Sequence, residues 1–81
     1  MYKVVIVDKS GSEFDGVAEI VRLPTLEAAN EEAKGEAYST AEVLLGDWRV
    51  VRESMSGGKY GARLEPSTGE KGYIVVMVSE M

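Results

Sequence analysis

The chain contains neither cysteine nor histidine. Without cysteine there are no disulfides to staple the fold, no thiolate metal ligands and no sulfur nucleophile. Without histidine the usual general base near neutral pH is missing too, so any catalysis would fall to carboxylates, lysines, tyrosines and hydroxyls. Proline occurs only twice. The longest apolar runs, Tyr2 to Val7 (broken by Lys3) and Tyr73 to Val78, are too short for a membrane span or a signal peptide. A cytoplasmic protein without membrane association is the expectation.

What is present fits a single domain of 81 residues, near the size at which one core barely suffices. The net charge of −5 argues against nonspecific attraction to nucleic acid or anionic membrane. Its distribution is uneven. Between Leu26 and Leu45, Glu27, Glu31, Glu32, Glu36 and Glu42 face Lys34 alone, whereas Asp47 to Glu65 carries a slight excess of cations in Arg49, Arg52, Lys59 and Arg63. An acidic side is expected.

Five strands are predicted: Tyr2 to Asp8, Val17 to Leu23, Trp48 to Glu53, Tyr60 to Glu65 and Tyr73 to Ser79. They are β-branched or aromatic stretches bounded by glycine, serine and proline. After Pro24, Thr25 stands where an N-cap oxygen accepts from the first helical turn. Apolar residues then recur helically at Leu26, Ala29, Ala33, Ala37, Ala41 and Leu44, with Gly46 as the stop. One helix from Leu26 to Leu45 follows. Its weak points are Gly35, which costs about 1 kcal/mol relative to alanine, and Ser39-Thr40, where a second segment could be capped. The order β-β-α-β-β-β indicates an α+β fold: a single, largely antiparallel five-stranded sheet with one helix on one face.

The last strand sharpens this. Tyr73 to Val78 is apolar throughout, the pattern of a strand that needs cover on both sides, and only one helix is available. With Ile74, Val76 and Val78 assigned to the helix, Tyr73, Val75 and Met77 lack cover; the opposite facing is the alternative, because the run shows no alternation.

Motifs for chemistry are weak. Asp8, Ser10, Ser12, Glu13 and Asp15 space oxygens like a cation loop, but serines occupy two EF-hand ligand positions; a solvated hairpin loop is the simpler reading, and no metal or cofactor is expected. Gly57-Gly58-Lys59 lacks the Walker spacing and joins two strands. Lys71-Gly72-Tyr73 begins like the inner strand of an RNA-recognition motif, but the aromatics expected after it are replaced by Ile74, Val75 and Val78. Nucleic acid is therefore an unlikely partner on sequence grounds, and a single-stranded nucleic-acid module is a lesser alternative. No serine lies in a nucleophile elbow. The chain reads as a non-enzyme.

Val17 to Leu23, the segment Thr25-Leu26-Glu27-Ala28-Ala29 and the three strands that follow the helix resemble, in architecture and size, small phage-encoded inhibitors of the anti-CRISPR type. That resemblance implies a compact, noncatalytic accessory inhibitor acting on a nucleic-acid-processing complex. Two interaction surfaces follow from the residues. One is the acidic helix, with Glu27, Glu31, Glu32 and Glu36, for which a solvated face is the simpler reading. The other is the uncovered sheet face, with Tyr73, Val75, Met77 and Trp48, since large rigid aromatics anchor interfaces, although for the aromatics at strand starts, Tyr2, Trp48, Tyr60 and Tyr73, core packing is the simpler reading. The partner is a protein or a second copy of the chain. A homo-oligomer joined through its open sheet faces is the second reading.

Overall fold

The computed structural model describes residues 1–11, 16–44 and 46–81, without the side chain of Leu44. The strands are β1 (Tyr2–Lys9), β2 (Gly16–Leu23), β3 (Trp48–Ser56), β4 (Lys59–Pro66) and β5 (Tyr73–Glu80), with α1 (Leu26–Ser39) between β2 and β3. They form one five-stranded sheet in the order β2-β1-β5-β4-β3, and every neighbouring pair is antiparallel. The α+β class and the order β-β-α-β-β-β are thus as expected. The doubly apolar β5 is the central strand.

Thr25 caps α1 as expected, its hydroxyl accepting from the Ala28 amide at 3.2 Å. Ala29, Ala33, Ala37 and Ala41 are fully buried against the sheet. A stripe of methyl groups lets the helix backbone approach closely, so close packing replaces the area that leucines would bury. The regular helix is shorter than expected. From Thr40 to Leu44 the chain continues as a π-helical turn, so Ser39-Thr40 marks a change of pitch and not the cap of a separate helix; Leu45 lies outside the described residues.

The core sits between α1 and one face of the sheet. Leu64, Val4 and Val76 are its largest fully buried side chains, joined by Ile74 and Val78, with Tyr2, Ile6, Val21, Leu23, Leu26, Trp48 and Val50 packed around them. Ile74, Val76 and Val78 therefore face the helix. The β3–β4 connection is tighter than expected: both strands extend to a two-residue turn at Gly57-Gly58, with φ of 60° and 78°, a backbone that glycine adopts without strain. Asn30 of α1 fastens this turn, donating to the Gly58 carbonyl at 2.8 Å and accepting from the Tyr60 amide at 2.9 Å.

Both edge strands carry an irregularity that resets their facing. In β2, Val21 pairs with Val4 but Glu19 with Val5; in β3, Val50 pairs with Leu64 but Arg52 with Arg63. An extra residue shifts the alternation by one and reverses which side chains face the helix. Edge bulges also blunt the tendency of a free strand to pair with another chain.

Candidate functional site

No helix covers the second face of the sheet among the described elements, and the register determines what that face displays. Directly opposed residues share a face. β1 contributes Lys3, Val5, Val7 and Lys9, opposite Ser79, Met77, Val75 and Tyr73 of β5. The bulge in β2 turns Glu19 and Val17 to the same side, opposite Val5 and Val7, while Arg22 stands opposite Lys3. From β4 and β3 come Lys59, Gly61, Arg63 and Glu65, opposite Ser56, Ser54, Arg52 and Arg49.

The centre of this face is apolar and its flanks are cationic. Val5 is only 8% exposed although no helix lies over it, whereas Met77 and Val17 are 38% and 71% exposed. Around them stand Lys3, Lys9 and Arg22 on one side and Arg49, Arg52, Lys59 and Arg63 on the other, seven of the protein's nine cationic side chains. Glu80, at the end of β5, reaches Lys59 at 4.0 Å; the carboxylates that share the face by register, among the described residues, are Glu19 and Glu65. The overall charge of −5 thus conceals a strongly polarised molecule.

Each of those carboxylates holds one arginine. Arg22 pairs with Glu19, whose carboxyl is held below the usual range first by that hydrogen bond and then by Coulombic attraction, with Lys3 adding to the latter. Arg63 donates to Glu65 at 2.8 Å, and its guanidinium carbon lies 4.1 Å from the centroid of the Tyr73 ring, a cation–π arrangement. Arg63 is therefore braced from two sides, while Arg52 stands directly opposite it across the ladder. Like charges so placed destabilise a sheet.

Of the sheet-face residues expected from the sequence, Tyr73, Val75 and Met77 are on this face. Trp48 is not. It pairs with Pro66, two residues before Val50, and packs against the helix-side core, because the bulge in β3 comes after it; an aromatic at a strand start gives no signal of its facing. The expected helix residues Glu27, Glu31 and Glu32 are exposed and Glu36 is half-buried, on the opposite side of the molecule. Sequence reasoning did not find the role of Arg52 and Arg63, whose common facing depends on a bulge that leaves no distinct mark in Val50-Val51-Arg52. The signal available was the cationic excess of Asp47 to Glu65.

A depression of about 490 Å³ lies between α1 and β3 and is lined by Asn30, Glu31, Lys34, Glu53, Ser54, Met55 and Tyr60. The same bulge that turns Arg52 outward turns Glu53 toward the helix. Its two oxygens accept from Tyr60 at 2.6 Å and Tyr38 at 2.9 Å. These hydrogen bonds hold the carboxyl below its usual range, that from Tyr60 most strongly, and burial together with Glu53 pushes the Tyr60 hydroxyl well above its own. A carboxylate with lowered proton affinity and a phenol that resists ionisation form a strut, and neither is tuned as a base or nucleophile near neutral pH.

Among the described residues no cluster of three or more acidic side chains is arranged to hold a metal ion. Asp8 instead accepts from the Ser10 amide at 2.9 Å, a local turn; Ser12, Glu13 and Asp15, the remainder of the expected cation loop, lie outside the described residues. Gly72 has φ 113°, and a Cβ there would lie 2.9 Å from the Ser10 Cα, so backbone proximity accounts for the glycine of Lys71-Gly72-Tyr73. No described helix is long and apolar enough to cross a membrane. In comparisons with protein-family models, curated proteins and solved structures, none matches the chain.

Proposed function

We propose that the protein is a noncatalytic binding module that engages a partner protein through its open sheet face. The observation that carries this reading is the opposition of Arg52 and Arg63 on a face already rich in cations. A like-charge pair at the border of an apolar strip costs stability and is relieved by an anionic partner. An accessory inhibitor of a nucleic-acid-processing complex, the class that the architecture resembles, is the form of module we favour. The acidic helix then serves as the outward, solvated side of the domain, and the absence of histidine and cysteine accords with binding without catalysis.

Charge also ranks the alternatives. A twofold dimer of open faces would oppose cations to cations, so it is the weaker form of self-association. A single-stranded nucleic acid is the second reading, favoured by the cations and by Tyr73. It is disfavoured because Tyr73 is the one aromatic on the described face, and its ring already carries Arg63, whereas stacking platforms use successive rings.

Capture from a lysate of the native host tests the reading when two charge-reversed variants run beside the native protein. The Arg52→Glu/Arg63→Glu variant is expected to lose the partner and Glu31→Lys/Glu32→Lys to retain it. The opposite pattern would transfer the function to the helix.

A further inference from the structure

We infer that the hollow over Gly61 on the open face seats a carboxylate side chain from an acidic, partly apolar segment of the partner protein. This rests on the open face being the binding surface and adds the chemistry of what binds. Gly61 lies within β4, opposite Met77 on one neighbour and Ser54 on the other. Glycine inside a strand weakens it, and often marks a close approach by another molecule. The backbone does not demand glycine here, since Gly61 is not among the residues with positive φ. Nor is it forced by crowding: a Cβ at this position would make ordinary contact with the Ser54 hydroxyl at 3.4 Å. The missing side chain adds space to an open depression of about 420 Å³ that Gly61 helps to line.

The walls of that depression are sorted by chemistry. Arg52 and Arg63 bring positive charge, with Lys59 beside them already 4.0 Å from Glu80, and Ser54 and Ser56 bring hydroxyl donors, while Val75 and Met77 form the apolar side. A carboxylate between Arg52 and Arg63 would replace their repulsion by charge-assisted hydrogen bonds, for which guanidinium is well shaped. The adjoining residue of the same segment would lay an apolar side chain on Val75 and Met77. The volume is within the range of small-ligand sites, but the hollow lies on an open sheet, which suits a projecting side chain. A run of phosphates would satisfy the arginines equally well, yet it would gain nothing from the valines and methionine and would meet Glu19, Glu65 and the net negative charge of the domain. Among the helix glutamates of a second copy, Glu27, Glu31 and Glu32 have no large exposed apolar residue beside them, and Glu42 beside Val43 is a single such pair.

The test is an NMR titration of the isotopically labelled protein with a short peptide of alternating glutamate and leucine. Its glutamine–leucine counterpart and an oligothymidylate are titrated in parallel. The amides of Gly61, Ser54 and Met77 are expected to shift with the glutamate peptide, and binding should weaken about tenfold with the glutamine peptide and with Arg52→Ala. Gly61→Leu, which fills the hollow, should weaken it similarly; Arg52→Ala, an exposed truncation, keeps the test valid if the leucine variant does not fold. Equal binding of both peptides on this face would overturn the carboxylate seat and leave the binding face standing. Stronger shifts of the same amides by oligothymidylate would assign the face to nucleic acid, and self-association abolished by Glu31→Lys would assign it to a second copy, each overturning the inference. Shifts confined to other surfaces, or none with any probe, would overturn both the seat and the open-face reading.

Discussion

Arg52 and Arg63 stand directly opposite each other across the β3–β4 ladder, and only Arg63 has a carboxylate, Glu65, bonded to it within the face. The arrangement arises from one extra residue: without the bulge after Val50, Val51 would oppose Arg63, and Arg52 would point toward the helix. The same shift delivers Glu53 to Tyr38 and Tyr60. A single irregularity thus builds a structural strut on one side of the sheet and a cationic pair on the other.

Stability and binding should respond in opposite directions at this pair. Arg52→Glu converts cross-strand repulsion into attraction, and urea denaturation should show a gain of roughly 0.2–1 kcal/mol. Capture of the partner should fall sharply in the same protein. A variant that loses stability and binding together would mean that Arg52 serves the fold.

The Glu53 strut gives the fold a defined pH response. Its folded proton affinity lies below that of an ordinary carboxylate, so its contribution is present above the unfolded value, near ~4.3, and disappears as pH falls through the lower folded one. Denaturation midpoints of the native protein and Glu53→Gln should therefore converge on acidification. On the alkaline side the Tyr60 hydroxyl is raised, so its contribution is present below the unfolded value of ~10 and is lost as pH rises toward the folded one. Tyr60→Phe should flatten that alkaline decline.

The helix–sheet seam should tolerate neither shrinkage nor growth. Leu64→Ala empties a fully buried site and should cost about 2–5 kcal/mol. Ala33→Leu inserts bulk at a fully buried position of the helix stripe and should cost about 1–3 kcal/mol. Chemical denaturation measures both.

Gly35 is exposed, helical and without a neighbour near its would-be Cβ. Gly35→Ala should stabilise the protein by about 0.5–1 kcal/mol. Asn30→Ala should do the reverse, by roughly 1–2 kcal/mol, because it leaves the Tyr60 amide and the Gly58 carbonyl without their side-chain partner. Thermal melts of the two variants should move in opposite directions.

The legible part of this fold is the part governed by periodicity. The alanine stripe, the Thr25 cap and the doubly apolar β5 announce a helix on one side of a sheet, whereas the facing of Ile74, Val76 and Val78 toward it was one of two assignments, because an unbroken apolar run shows no alternation. The strand order and the bulges are set by pairing between distant segments, which local pattern does not encode. Trp48 shows the consequence. Its sequence position allowed either face, and its true facing follows from its pairing with Pro66. The charge sorting was hidden for the same reason: cations scattered from Lys3 to Arg63 gather on one surface only once alternation, register and two bulges are combined.

The most direct test of the open-face account is methyl NMR of the protein bound to its captured partner. The account predicts large shifts at Val7, Val75 and Met77 with the methyls of the helix-side core, such as Ala33 and Leu64, nearly unchanged. Shifts concentrated instead on the exposed side of α1, around Glu27, Glu31 and Glu32, with Val75 and Met77 unmoved, would contradict it.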